Sequence, residues 1–131
     1  MAAAVSASGG NARIWYRLAI VYFVLATGLG VFMAMAQDHS LFPVHAHLNL
    51  LGWVSLALTG VLYERFPAAT GTRLYTIHFW AYNVTFPLMM LALALLLKGN
   101  DALGPVLGIL SILLFASIVA FAANIWRHSR L

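Results

Sequence analysis

Four stretches of this chain, 14–36, 42–63, 74–97 and 104–126, are apolar almost throughout. Each has about the twenty residues that carry an α-helix across a ~30 Å hydrocarbon core. This constrains the fold more than any other feature. Lipid offers backbone N–H and C=O groups no partner, so only helices and closed barrels span it. Barrel strands alternate in polarity, whereas these runs are continuous. The connections 37–41, 64–73 and 98–103 are short, and short connections make neighbouring helices antiparallel. The expected fold is an all-α membrane protein: one four-transmembrane-helix antiparallel bundle over 14–131. The Ala/Ser/Gly-rich segment 1–13 is expected to be disordered. It is not expected to be a signal peptide, because no early basic residue precedes the first run and that run is long enough to remain a span.

Composition supports a lipid environment. The chain has 131 residues, 63% hydrophobic and 8% charged, against roughly a quarter charged in soluble domains. It has no cysteine, which excludes disulfides, iron–sulfur clusters, thiolate zinc sites and covalent haem attachment. Arg13, Arg17, Arg65, Arg73, Arg127 and Arg130 fall on one side of the four-span arrangement, and Lys98 alone on the other. The positive-inside rule then places both termini in the cytoplasm, as in a bacterial inner membrane. The net charge of +4 reflects that topology and gives no support to nucleic-acid binding. Trp15, Tyr16, Tyr63 and Trp126 lie near span ends, where interfacial aromatics are expected. Asp38, Glu64 and Asp101 are the only carboxylates. All lie near membrane boundaries, and no acid–base pair, nucleophile or phosphate loop points to a hydrolase or kinase.

The candidate site is His45-Ala46-His47, inside the second run. Ionisable side chains within a span are costly and mark functional sites by default, and imidazole is the commonest metal ligand. In a regular helix, residues i and i+2 lie about 200° apart, so the two rings point in nearly opposite directions. They are therefore not expected to chelate one metal. His47 lies about 7 Å inside the outer boundary, and His78, on the third run, lies about 15–20 Å lower. One protomer is thus not expected to clamp one haem iron between His47 and His78. In a closed cyclic homo-oligomer, His45 of one subunit would face His47 of the next, with no surface left unmatched.

The string Val44-His45-Ala46-His47-Leu48-Asn49-Leu50-Leu51-Gly52-Trp53 resembles the haem-ligating helices of the haem–copper oxidase and nitric oxide reductase catalytic subunit. Its His-x-Asn-Leu-Leu part is similar to the second helix of the reductase branch, where the histidine ligates the low-spin haem. Its His-x-His part is similar to the family's tenth helix, where two histidines ligate two haems. His78-Phe79-Trp80 and Asn83-Val84-Thr85-Phe86-Pro87 resemble the following helix of the family, with a shorter gap and one Phe fewer. The resemblance covers residues 44–87. No counterpart of the copper-site helix, with its paired histidines and crosslinked tyrosine, is present. The family's twelve helices form three arcs of four. The resemblance therefore implies a single-arc relative that assembles as a homotrimer. It also implies non-covalent haem b held by His45 and His47, with Asn49 and Gly52 beside the cofactor. The implied role is electron transfer, with a redox partner or quinone, or binding of O2 or NO, within an oxidoreductase-like setting.

Other residues have plainer expectations. Asn49 lies one turn from His45 and serves either an interhelical hydrogen bond or the orientation of a ligand. His78 is expected to be structural, bonded to Tyr82 or Glu64, with a lower-ranked role as a metal ligand. His39 and His128 are expected to be solvated. Met33, Met35, Met89 and Met90, with His39, compose a Met/His copper alternative, although methionine is also an ordinary apolar filler. Gly28, Gly30, Gly52, Gly60, Gly104 and Gly108 suit close helix packing, the last two as a Gly-xxx-Gly pair. Pro87 is expected to free the Asn83 carbonyl beside Tyr82 and Thr85. Three functions compete: a haem protein, a copper-handling protein, and a metal-free assembly or structural factor.

Overall fold

The computed structural model describes residues 2–130, with side chains described from Gly10 onward. It is all-helical over those residues. Helix α1 spans Ala2–Ala36, α2 Phe42–His47, α3 Ser55–Arg65, α4 Arg73–Leu97 and α5 Gly104–His128. A π-helical segment, Leu48–Val54, joins α2 to α3, making one continuous second span, Phe42–Arg65. Four helices are therefore long and apolar enough to cross a membrane.

Cross-helix contacts fix their directions. From α1 to the second span, Tyr16 bonds Glu64, Tyr22 packs on Gly52, and Gly30 meets His45. One series rises while the other falls, so these helices are antiparallel. Between α4 and α5, Thr72 at the N-cap of α4 bonds Asn124, His78 stacks on Phe121, and Met89 contacts Ser111. These helices are antiparallel too. Between α1 and α4, Asn11 pairs with Tyr75, Trp15 with His78 and Tyr22 with Phe86, so this pair runs parallel. The result is two antiparallel hairpins side by side, as short connections require.

The segment 1–13 is expected to be disordered; Met1 lies outside the described residues, and α1 runs from Ala2. Alanine-rich sequence without proline favours helix, and the end of this extension is anchored. Ala12 is buried and the Asn11 carbonyl accepts the Tyr75 hydroxyl at 3.2 Å. A correction concerns the interfacial aromatics. Trp126 is 70% exposed, but Trp15 and Tyr63 are fully buried. They turn inward because rings from α4 and α5 offer them stacking partners.

Small residues set the close approaches, since helices in lipid gain little from hydrophobic burial and associate by van der Waals contact. A Cβ on Gly52 would lie 2.8 Å from Tyr22, and one on Gly60 would lie 2.7 Å from Tyr16. A Cβ on Gly30 would lie 2.8 Å from the His45 ring. Each hairpin partner thus presents a glycine to the other's ring. Gly104 and Gly108, expected as a packing pair, face open space, as does Gly28. Their close-approach role is not used within this chain.

The connections are held by turns and hydrogen bonds of their own. The stretch Pro67–Gly71 forms a 3-10 turn folded under the bundle, with Ala69 buried and its carbonyl accepting Asn124 Nδ2 at 3.0 Å. Gly99 has φ +106, a conformation glycine adopts freely, and turns the chain toward α5. At that same end Lys98 donates to Asp38 at 2.9 Å and to Ser40 at 2.8 Å, tying the two hairpins together. The Lys98 ammonium, with the Ser40 backbone N–H, holds the Asp38 carboxyl well below the usual carboxylate range. A depressed carboxyl contributes stability above its unfolded value of about 3.9 and loses it as pH falls through the folded value. Melting temperature should therefore be insensitive to this pair from neutral pH down to about pH 4, and fall only in stronger acid. Asp38→Asn should remove that acid-side dependence. An unchanged acid profile in the variant would refute the assignment.

Candidate functional site

The histidine pair opens the second span. Pro43 occupies the first turn of α2, where its missing N–H costs nothing. His45 Nδ1 lies 2.8 Å from the Ala26 carbonyl on α1, and His47 Nδ1 lies 2.6 Å from the Pro43 carbonyl in its own helix. A carbonyl only accepts, so each Nδ1 carries the proton and donates. Neutral imidazole then keeps its lone pair on Nε2. Both rings are half-buried.

The backbone changes register immediately after His47. The second span departs from the regular helix expected across 42–63, because one extra residue per turn runs through Leu48–Val54. Such π segments shift the usual ladder and occur often at functional sites. Side chains satisfy the carbonyls around it. Asn49 Nδ2 donates to His45 O at 3.0 Å, Ser55 Oγ to Leu50 O at 2.7 Å, and Tyr82 Oη from α4 to Leu51 O at 2.7 Å. Asn49 therefore braces the backbone of His45. Gly52 is buried, and Tyr22 occupies the space a side chain would fill.

His78 lies in a different part of the bundle. It is 1% exposed and sandwiched between Trp15 and Phe121, with ring centroids 4.7 Å away on both sides. Its Nδ1 lies 2.9 Å from the Tyr63 hydroxyl. The expected partners, Tyr82 and Glu64, are corrected. Tyr82 meets the imidazole edge-on but donates to Leu51, while Glu64 turns outward to the Tyr16 hydroxyl. His45 touches α1 at Ala26 and His78 touches it at Trp15. Those residues are eleven apart, which is about 16 Å along a helix. The separation agrees with the depth argument from sequence.

The remaining candidates are dispersed. His39 is an exposed loop residue, and half-buried His128 bonds the Asn124 carbonyl one turn back at 2.8 Å. Met33 is 3% exposed and Met35 81%, so they lie on opposite faces of α1. Met89 and Met90 are buried on α4, where Met89 receives Ser111 at 3.7 Å. Met35 therefore does not share the inward face that holds Met33. Asn83 Nδ2 donates to Phe79 O at 2.8 Å, and its buried Oδ1 has no partner. Among the described residues no three His, Asp or Glu side chains come together as a metal-holding group. Each imidazole of the pair is a single donor in this chain.

Sequence reasoning did not find Trp15, Tyr63, Phe121 or Asn124 as site-builders. Their roles depend on contacts between spans, and none carries a local motif. No protein-family model, curated protein or solved structure matches this chain.

Proposed function

We propose that this chain is an integral membrane b-type haem protein, similar to one four-helix arc of the haem–copper oxidase catalytic subunit. Its role is electron transfer or O2/NO binding. The observation that carries the reading is the hydrogen-bond geometry of the histidine pair. Both Nδ1 atoms are tied to backbone carbonyls, which leaves both Nε2 atoms as ligands. Iron and zinc histidines are commonly oriented by such an outer partner, which fixes the tautomer and raises basicity.

The residues fit a haem on two further counts. The chain has no cysteine, so a haem here would be held non-covalently, with His45 and His47 as its ligands. Gly30 also lets the His45 ring pack directly against α1, which fixes the ring's orientation. His45 and His47 would hold the iron, and Asn49 would keep the His45 backbone in place through the π turn. The bound group would supply one-electron or gas-binding chemistry. The protein's part is to fix ligand orientation and exclude water.

One protomer offers lone imidazoles, so the site is completed between copies. A closed ring pairs His45 of one subunit with His47 of the next, whereas a twofold dimer pairs like with like and strands the others. We therefore favour a homotrimer in a bacterial inner membrane with both termini cytoplasmic. The six arginines toward the terminal end support that orientation. Gly28, Gly104 and Gly108, open in the single chain, are available for contact between copies.

The test is an absorption spectrum and pyridine haemochrome assay on protein from haem-replete cells. A b-type spectrum with iron near one per chain is expected. Absence of a Soret band removes the reading, and stoichiometric copper lost on replacing Met33 and Met35 replaces it with the copper alternative. Native mass spectrometry should give three chains. A monomer that keeps a bis-histidine spectrum would refute the interface arrangement.

A further inference from the structure

We propose that Tyr82 is a positioning residue for the histidine pair. By holding the Leu51 carbonyl, its hydroxyl keeps the second span in π register, and that register turns His45 toward α1. The direction of the rings does not depend on haem, although its value as a ligand direction rests on the haem reading above.

Helix periodicity shows what the π segment does. Tyr63 and His45 are eighteen residues apart, about five full turns of a regular α-helix. On such a helix they would point the same way. Tyr63 points into the centre of the bundle, where its hydroxyl lies 2.9 Å from His78 Nδ1 and its ring packs on Phe121. His45 instead points to α1, with Nδ1 2.8 Å from the Ala26 carbonyl and its ring seated on Gly30. The segment between them adds one residue to the ladder, so that Ser55 N–H reaches back five residues to Leu50 O. One residue of a helical turn is about 100°. Without that extra residue in the ladder, His45 would face inward with Tyr63 and lose both contacts with α1.

Three side chains serve the carbonyls of this stretch, and one of them belongs to another helix. Asn49 and Ser55 donate to His45 O and Leu50 O within the second span, so they travel with it in either register. Tyr82 donates from α4 to Leu51 O at 2.7 Å. It is 3% exposed, with its ring edge-on to His78 at 5.6 Å and tilted on Phe86 at 5.9 Å. The hydroxyl is therefore fixed relative to α4, and it ties the second hairpin to the part of the span that aims the histidines. Lipid offers the Leu51 carbonyl no donor in its place. Once the hydroxyl is removed, the span satisfies that carbonyl best from its own N–H ladder in the regular α register.

The experiment is magic-angle-spinning NMR of the full chain in lipid bilayers, with isotope-labelled glycine, histidine and tyrosine. Two contacts are read. The His45 ring with the Gly30 α-carbon reports the part of the span before the π segment, and the Tyr16 ring with the Gly60 α-carbon reports the part after it. In Tyr82→Phe, which keeps the ring, the first contact is expected to be lost and the second retained. Deleting Leu50, 61% exposed, from the same variant removes the extra residue. A regular helix then aims His45 at α1, and the first contact should return. Persistence of the His45–Gly30 contact in Tyr82→Phe, loss of both contacts there, or failure of the deletion to restore the first would each overturn the proposal. Should Tyr82→Phe alone not fold, the variant that also lacks Leu50 decides: it should fold and show both contacts, and failure in either respect overturns the proposal. The haem reading fails separately, by a missing Soret band in a parent protein that shows both contacts.

Discussion

On the proposed haem ligation, replacing either His45 or His47 with alanine is expected to abolish the six-coordinate low-spin haem spectrum that the arrangement implies. Loss of an outer hydrogen-bond partner alone typically costs about 10–100-fold in metal affinity, so loss of the ligand itself should cost at least that. The helices should form in both variants. His47 bonds only within its own first turn, and His45→Ala gives up one bond to the Ala26 carbonyl and its seat against Gly30, a loss of stability that leaves the helical content in place. Helical circular dichroism should therefore be unchanged while the spectrum is lost. His78→Phe should keep the spectrum, because His78 lies about 16 Å away along α1 by helix rise and faces a different cluster. Three results would contradict this assignment. They are loss of the spectrum only in His78→Phe, retention in both alanine variants, or loss in His47→Ala alone. The last would indicate a single protein ligand with an open position, and hence gas binding.

Much of the fold was legible because lipid leaves so few options. The span boundaries expected at 42–63, 74–97 and 104–126 fall within two residues of the observed helices Phe42–Arg65, Arg73–Leu97 and Asp101–His128, apart from the 3-10 lead-in at Asp101–Leu103. Hydropathy alone sets those limits. The depth difference between His47 and His78 was legible for the same reason, since helix rise converts sequence distance into height.

What was not legible depends on which way side chains turn. Trp15 and Tyr63 carry the sequence signature of interfacial anchors, yet both face inward. Their destination was decided by His78 and Phe121, on other helices. The π turn after His47 was equally hidden. Its cause is a set of substitute donors, Asn49, Ser55 and Tyr82, and Tyr82 lies 31 residues from the carbonyl it serves. Glycine signals were ambiguous in a similar way. Gly104 and Gly108 have the recognised spacing, but the observed close contacts are made by Gly30, Gly52 and Gly60, whose spacing matches rings on the partner helix.

The inward turn of Trp15 makes it the residue whose loss should most weaken the bundle. It is fully buried and contacts Tyr63, Tyr75, His78, Phe79 and Tyr82, with its closest ring centroid 4.7 Å away at His78. Thus α1 touches both the second span and α4 through one side chain. Large-to-small substitution at a core aromatic costs about 3–5 kcal/mol in soluble proteins. In a bilayer the separated helices remain in lipid, so the loss is mostly of van der Waals contact. Trp15→Ala should therefore fall toward the lower end, about 3 kcal/mol. Trp15→Phe should cost much less, because the indole N–H has no partner to lose and a ring still stacks on His78. Tyr63→Phe tests the other side of the same cluster. It strands His78 Nδ1 at a cost of about 1–3 kcal/mol while leaving ring packing intact. Thermal or SDS-induced unfolding, followed by circular dichroism, measures all three. The order expected is Trp15→Ala weakest, Tyr63→Phe intermediate and Trp15→Phe nearest the parent. A Trp15→Ala protein as stable as the parent would mean that the two hairpins are held together elsewhere, by the Asp38–Lys98 tie and by contacts between copies.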